Sequence, residues 1–143
     1  MARVKVSLPE SFGFAVEIPV RITDLNYGAH LGNDALLSLL HEARVQFLAS
    51  LGTAEFDPAT RQGFILVDVA IEYKAEAFHG DVLTIALAAN DANKYGFDIV
   101  YQVKNQHNKE VARAKTGMLC FDYTTRKLRA LPAALAAKAS PGL

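Results

Sequence analysis

Apolar and polar positions alternate from Phe14 to Ile22. Phe14, Val16, Ile18 and Val20 fall on one side, with Glu17 and Arg21 among the others. A period of two predicts a strand with one buried face. Pro19 lacks an N–H, which assigns this strand to an edge or a bulge. The period then changes. From Ala35 to Leu51, the residues Leu36, Leu37, Leu40, Ala43, Phe47, Leu48 and Leu51 recur at helical spacing, and Leu39, Val45 and Ala49 interrupt the other side. A helix this apolar is buried on most sides. Asn33 or Asp34 is a suitable N-cap, and Gly52 a suitable stop. Arg44 falls inside the apolar stripe, so it must reach water or pair with an acid.

Thr53 to Gly63, with Pro58, predicts a loop containing one short helical turn. Four strands are expected after it: Phe64 to Ala75, Val82 to Ala89, Lys94 to Lys104 and Glu110 to Tyr123. The turns between them are short, so an antiparallel meander is the economical topology. Gly117 inside the last strand predicts a bulge or a close backbone approach. Met1 to Gly13 reads as a loosely held lead-in, and Leu131 to Ala139 as a short helix after Pro132. The class is α+β, a sheet burying one face around a single helix. Its opposite face and edges favour pairing with a second subunit.

Composition narrows the partners. The 143 residues suit one domain spanning residues 1–143. Fifteen basic residues balance fifteen acidic ones, which argues against nucleic acid or an anionic membrane, since both demand positive excess. Cys120 is the single cysteine. It excludes an internal disulfide and suits a reducing cytoplasm. No apolar run approaches the ~20 residues of a membrane span, and Met1 to Phe14 lacks the apolar core of a signal peptide.

Between the first strand and the helix lies the stretch richest in chemistry, Thr23 to Asp34. It holds Asp24, Asn26, Gly28, His30, Gly32, Asn33 and Asp34. Free N–H groups at a helix start can polarise a carbonyl oxygen. Glu42, on the third turn of the helix, can orient or deprotonate a water. His30 can bind substrate or relay a proton. The set suits acyl transfer to water. Singly, each residue also has a structural reading: Asp24 as a local turn acceptor, Asn33 and Asp34 as caps, Glu42 as an ion-pair partner. The histidines lack metal-ligand spacing, and no phosphate loop, dinucleotide fingerprint or Gly-x-Ser-x-Gly elbow occurs.

The stretch Asp24-Leu25-Asn26-Tyr27-Gly28-Ala29-His30-Leu31-Gly32-Asn33, followed by Glu42-Ala43-Arg44, resembles the hotdog-fold thioesterases. The likeness is to the 4-hydroxybenzoyl-CoA thioesterase-like branch and the plant acyl carrier thioesterases, whose pattern is Asp-x-Asp-x-x-Gly-His-Val-Asn-Asn and then Glu-x-Ala-Arg. Ile71-Glu72-Tyr73, His79-Gly80-Asp81, Phe121-Asp122 and Leu131-Pro132 follow in the family's order. The resemblance implies a five-stranded antiparallel sheet wrapped around one long helix, assembled as a homodimer or homotetramer. It implies hydrolysis of an acyl-CoA or acyl carrier thioester, with CoA present only as part of the substrate and no further cofactor or metal. Carried over by position, Glu42, His30 and Asn26 are the catalytic set, and Asp24, Tyr27, Gly28, Asn33 and Asp34 bind substrate. The acyl chain is expected near Leu37 and Leu40, and the CoA phosphates near Lys94, Arg113 or Lys115.

One departure stands out. Asn26 occupies the place of the family's second aspartate, and an asparagine cannot act as a general base. Three accounts follow. Glu42, or Asp24 or Asp34, supplies the carboxylate while Asn26 binds water or the thioester. Alternatively the chain binds acyl thioesters without hydrolysing them, or it hydrates an enoyl thioester.

Overall fold

In the computed structural model, which describes residues 1–140 and Gly142, strand β1 (Phe14–Pro19) leads through a 3-10 turn (Ile22–Asp24) into helix α1 (Asn33–Ser50). Strands β2 (Phe56–Asp57), β3 (Gln62–Tyr73), β4 (Val82–Asn90), β5 (Gly96–Lys104), β6 (Glu110–Asp122) and β7 (Lys127–Leu128) follow, then helix α2 (Ala133–Ala136). The α+β architecture expected from the pattern is present: one antiparallel sheet and one long helix on its inner face.

The sheet has seven strands rather than five, because β2 and β7 add two-residue pairings to β3 and β6. Its order is β1-β4-β5-β6-β3-β2. The simple meander therefore needs correction. Strands β4, β5 and β6 do follow one another, but β3 lies beyond β6 and β1 beyond β4. The connection from β3 to β4 spans the end of the sheet instead of turning back. It is held there by backbone bonds, Leu31 N–H to the Ala77 carbonyl at 2.8 Å and Val20 N–H to the Asp81 carbonyl at 2.8 Å. Pro19 sits on an edge strand, as its missing donor requires.

Inward-facing Leu83, Ile85 and Leu87 of β4, Ile99, Tyr101 and Val103 of β5, and Ala112, Ala114 and Met118 of β6 meet Leu36, Leu40, Ala43, Phe47 and Leu48 of α1. Arg44 is 4% exposed within this core. Its Nε donates to Glu55 Oε1 at 2.8 Å, and His41 Nε2 lies 2.9 Å from Glu55 Oε2. The glutamate thus pins the helix to the segment leading into β2. On the sheet, Tyr101 and Thr116 share a buried hydroxyl bond of 2.8 Å.

The register of β3 and β6 shifts between Leu66 and Asp68, opposite Gly117. A Cβ on Gly117 would stand 2.6 Å from Asp68 Oδ1, so a larger residue there would push the Asp68 carboxylate off its place beside Lys115. Past Phe64, the outer edge of β3 has no partner strand among the described residues. Leu66, Val67, Val69 and Tyr73 are exposed along it. The lead-in lies across the outer face of the sheet, where Val6 N–H donates to Glu72 Oε2 at 3.1 Å and Val6 is buried. No described helix is long and apolar enough to cross a membrane.

Candidate active site

Strand β1 ends in a brace. Asp24 is 5% exposed, and its carboxylate accepts the Arg21 backbone N–H at 2.8 Å, Arg21 Nε at 3.2 Å and Arg21 Nη2 at 3.1 Å. The Arg21 side-chain bonds hold the Asp24 carboxyl below the ordinary carboxylate range, against the opposing effect of its burial. Asp24 is thereby committed inside the protein, and its oxygens already have donors. Its own carbonyl accepts the Gly32 N–H at 3.0 Å, and Leu25 pairs with Leu31 across the neck of the loop.

The neck frames a tight turn. Asn26 N–H donates to the His30 carbonyl at 2.9 Å, and Ala29 N–H to the Asn26 carbonyl at 3.0 Å. Ala29 takes φ 61, a left-handed conformation that costs a residue with a Cβ roughly 1–2 kcal/mol. The Asn26 side-chain oxygen accepts the Gly28 N–H at 2.9 Å. That bond fixes the amide orientation, because a backbone N–H demands the oxygen, and it leaves Nδ2 as a donor with no partner among the described residues.

His30 comes next to Asn26. Its Nδ1 lies 3.4 Å from the Leu31 carbonyl. With the proton on Nδ1, Nε2 is left as an acceptor. Glu76 Oε1 lies 3.9 Å from that Nε2. Gly28 fits between the two side chains. A Cβ there would stand 3.2 Å from His30 Nε2 and 3.3 Å from Asn26 Oδ1. Tyr27 is fully exposed at the tip, 106% of its reference area.

The helix start differs from the expected cap. Gly32 is the N-cap, with no side-chain cap bond, and Asn33 and Asp34 lie in the first turn. Asparagine and aspartate at these places do not serve as caps because the Gly32 N–H is already drawn to the Asp24 carbonyl, which sets where the helix begins. The first-turn N–H groups stay free of side-chain caps, the condition for receiving a carbonyl oxygen or anion. Tyr73, from the end of β3, donates its hydroxyl to the Asn33 carbonyl at 2.9 Å. Burial, helped by the charge of Asp34, pushes the Tyr73 phenol up and keeps it a donor.

The structure thus gathers Asn26, Gly28, His30, Asn33 and Asp34 at the helix start. Glu42 is set apart. It is exposed, nine residues into α1, about 13 Å along the axis from Asn33. It lines a groove of about 350 Å³ between β1 and α1, with Glu17, Arg21 and Ser38. Of the residues expected along the acyl chain, Leu40 is sealed in the core and only Leu37 is half-exposed. Lys115 is held by Asp68 and Asp98, Arg113 by Glu110, and Lys94 stands over the Tyr95 ring. Sequence reasoning missed Glu76. It lies 46 positions from His30 in a segment with no periodicity, and only the crossing of the β3–β4 connection brings it near.

Residues 20–139 match the model of the thioesterase-like superfamily, and the chain belongs to that family. The long-chain acyl-CoA thioesterase FadM of Escherichia coli is 29% identical over 123 residues, 85% of this chain and 93% of that protein. The crystal structure of Slr0204, a 1,4-dihydroxy-2-naphthoyl-CoA thioesterase from Synechocystis, superposes with a TM-score of 0.78 at 24% identity, covering 87% of this chain and 93% of its own. Staphylococcus aureus SAV2348 in complex with CoA has a TM-score of 0.80 at 14% identity, covering 94% of this chain and 85% of its own. These neighbours share the hotdog fold.

Proposed function

We propose that this chain hydrolyses an acyl-CoA thioester to the free acid and CoA. The observation that carries the reading is the commitment of the Asn26 oxygen to Gly28. It leaves a fixed Nδ2–H donor beside His30 and an uncapped helix start. The thioester oxygen receives Asn26 Nδ2–H and first-turn N–H groups of α1. A water attacks the carbonyl carbon and gives its proton to His30 Nε2, whose developing charge faces Glu76. The tetrahedral oxyanion collapses, the C–S bond breaks, and the proton passes from His30 to the departing sulfur. Substrate and water balance the reaction, so no further cofactor is invoked.

The carboxylate in this scheme is Glu76, acting through His30, rather than Glu42. Glu42 keeps a second reading through its place in the groove beside Ser38, where no ion pair engages it among the described residues. Asn33, Asp34 and Tyr27 border the acyl-CoA entry. A homodimer formed through the outer edge of β3 is part of the proposal, since an apolar edge of this length calls for a partner. The buried free thiol of Cys120 suits a reducing compartment such as the cytoplasm.

The decisive experiment incubates the full chain with short, long and aromatic acyl-CoA esters and follows thiol release. Turnover of at least one class, lost in His30→Gln with the fold intact, is expected. Saturable binding of these esters without turnover would overturn hydrolysis and leave an acyl-thioester-binding protein.

A further inference from the structure

At the far end of α1 from the loop, about 25 Å along the helix, lies a cavity of about 390 Å³. It opens to solvent and is bordered by the segment after α1, the start of β3, the end of β6 and α2. Its floor is apolar: Phe64, Cys120 and Leu135 line it, and all three are buried. Thr53 and Gln62 supply polar edges, and Arg129 closes one wall.

Arg129 is half-buried. Its backbone N–H donates to the Cys120 carbonyl at 3.0 Å, which ties its base to the wall. Its guanidinium enters no ion pair or hydrogen bond with the described residues. None of the nearby acids reaches it within ion-pair distance, though its charge acts on Asp122. Asp122 accepts Thr124 N–H, Thr125 N–H and Gln62 Nε2. Glu55 holds Arg44 and His41. Asp57, which also lines the cavity, accepts the Ala59 N–H and forms no ion pair with the described residues. Arg61 and Arg126, the neighbouring cations, stand over the rings of Phe56 and Phe121 rather than on carboxylates.

An unpaired guanidinium beside an apolar floor is complementary to a ligand with one anionic head and an apolar body. We propose that this cavity is a binding site for an apolar monocarboxylate. Arg129 takes the carboxylate, and the hydrocarbon or single ring lies on Phe64 and Leu135. The volume is at the lower end of small-molecule sites and suits a short chain or a single aromatic ring. The site is separate from the loop at Asn26 and His30 and stands whether or not the chain hydrolyses thioesters.

Octanoate and benzoate are the probes, titrated into the full isotope-labelled chain while backbone amide resonances are followed. Saturable shifts at Phe64, Cys120, Arg129 and Leu135 are expected, with the amides of Asn26 to His30 unmoved by the same event. Arg129→Gln should weaken binding at least about tenfold, and octanol, with the same body and no charge, should bind the unaltered protein at least about tenfold more weakly than octanoate. Shifts confined to the loop, no saturable binding of either acid, or equal binding of octanol and octanoate would each overturn the proposal. The octanol arm needs no variant, so it decides even where Arg129→Gln perturbs folding.

Discussion

The side-chain oxygen of Asn26 accepts the Gly28 amide at 2.9 Å, so the residue that the resemblance sets against the family's aspartate is held in one orientation, with its NH2 group left as a donor. An aspartate could make the same turn through one oxygen and would present a second oxygen where Asn26 presents a donor. The substitution therefore converts the position from acceptor to donor without dismantling the loop. Asn26→Ala should lower kcat about 10²–10³-fold, the usual cost of a lost oxyanion donor, with KM little changed. Asn26→Asp should be comparably impaired. Steady-state kinetics on an active acyl-CoA decides this, and an Asn26→Asp enzyme faster than the parent would show that the position wants a base.

His30 and Glu76 make the second test. Glu76 acts by facing the charge that His30 Nε2 gains when it takes the proton, so it works through His30 and is a positioning residue. Glu76→Gln should reduce kcat about tenfold and leave KM near its starting value, with Glu76→Asp recovering part of the loss. Glu42→Gln should leave both constants essentially unchanged. A collapse of kcat in Glu42→Gln alone would return the carboxylate role to the helix and remove Glu76 from the scheme.

The main elements were legible because their periods were strong. The stripe from Leu36 to Leu51 gave α1 to within two residues, and the apolar strands emerged close to their observed limits. What was hidden depended on bonds between distant segments. Strand β3 pairs with β6, and the Lys74 to Asp81 connection is tied to Val20 and Leu31; no local pattern encodes either. Asn33 and Asp34 look like caps by residue type, yet Gly32 takes the cap because of the Asp24 carbonyl. At the candidate site, residue types drew attention to the loop, but the commitment of Asp24 to Arg21, the orientation of Asn26 and the approach of Glu76 to His30 are three-dimensional facts.

The buried Arg44 and its partner Glu55 predict an asymmetric mutational response. Glu55→Ala leaves a guanidinium enclosed by the core with one lost acceptor, and Arg44 Nη1 already lacks a partner among the described residues. A destabilisation of about 3 kcal/mol is expected. Arg44→Met removes the charge with a flexible apolar replacement and should cost less. The double variant should be more stable than Glu55→Ala alone. Urea unfolding of the four proteins measures this, and a double variant at the sum of the two single losses would show that the pair is not coupled.

Acid should undo the brace at the base of the loop. The Asp24 carboxyl is held below its ordinary 3.8 chiefly by the Arg21 side-chain bonds. A depressed folded-state value contributes stability that is complete above the ordinary value and is lost as pH falls through the folded one. The parent protein should therefore be more stable than Asp24→Asn at pH 7 and at pH 5, and the difference should shrink as pH falls below 3.8. Urea midpoints across this range test the sign. A gap that widens on acidification would place the stabilising proton elsewhere.

Strand β3 carries the last prediction. Its outer edge offers unpaired backbone groups past Phe64, and Leu66, Val67, Val69 and Tyr73 are exposed beside them. A two-fold pairing of this edge with a second copy would satisfy the backbone groups of both chains and bury both sets of side chains. It would also bring the partner's β3 close to Tyr73, whose hydroxyl supports the helix start through Asn33. Charge placed on such an edge meets itself across the two-fold, so each substitution acts twice. The double variant Val67→Lys, Val69→Lys should halve the mass seen by light scattering during size-exclusion chromatography, from dimer to monomer. Thioester turnover should fall with it, because the loop would lose its neighbour. A parent protein that runs as a monomer at micromolar concentration, or a double variant that keeps the parent mass, would show that this edge is not the interface.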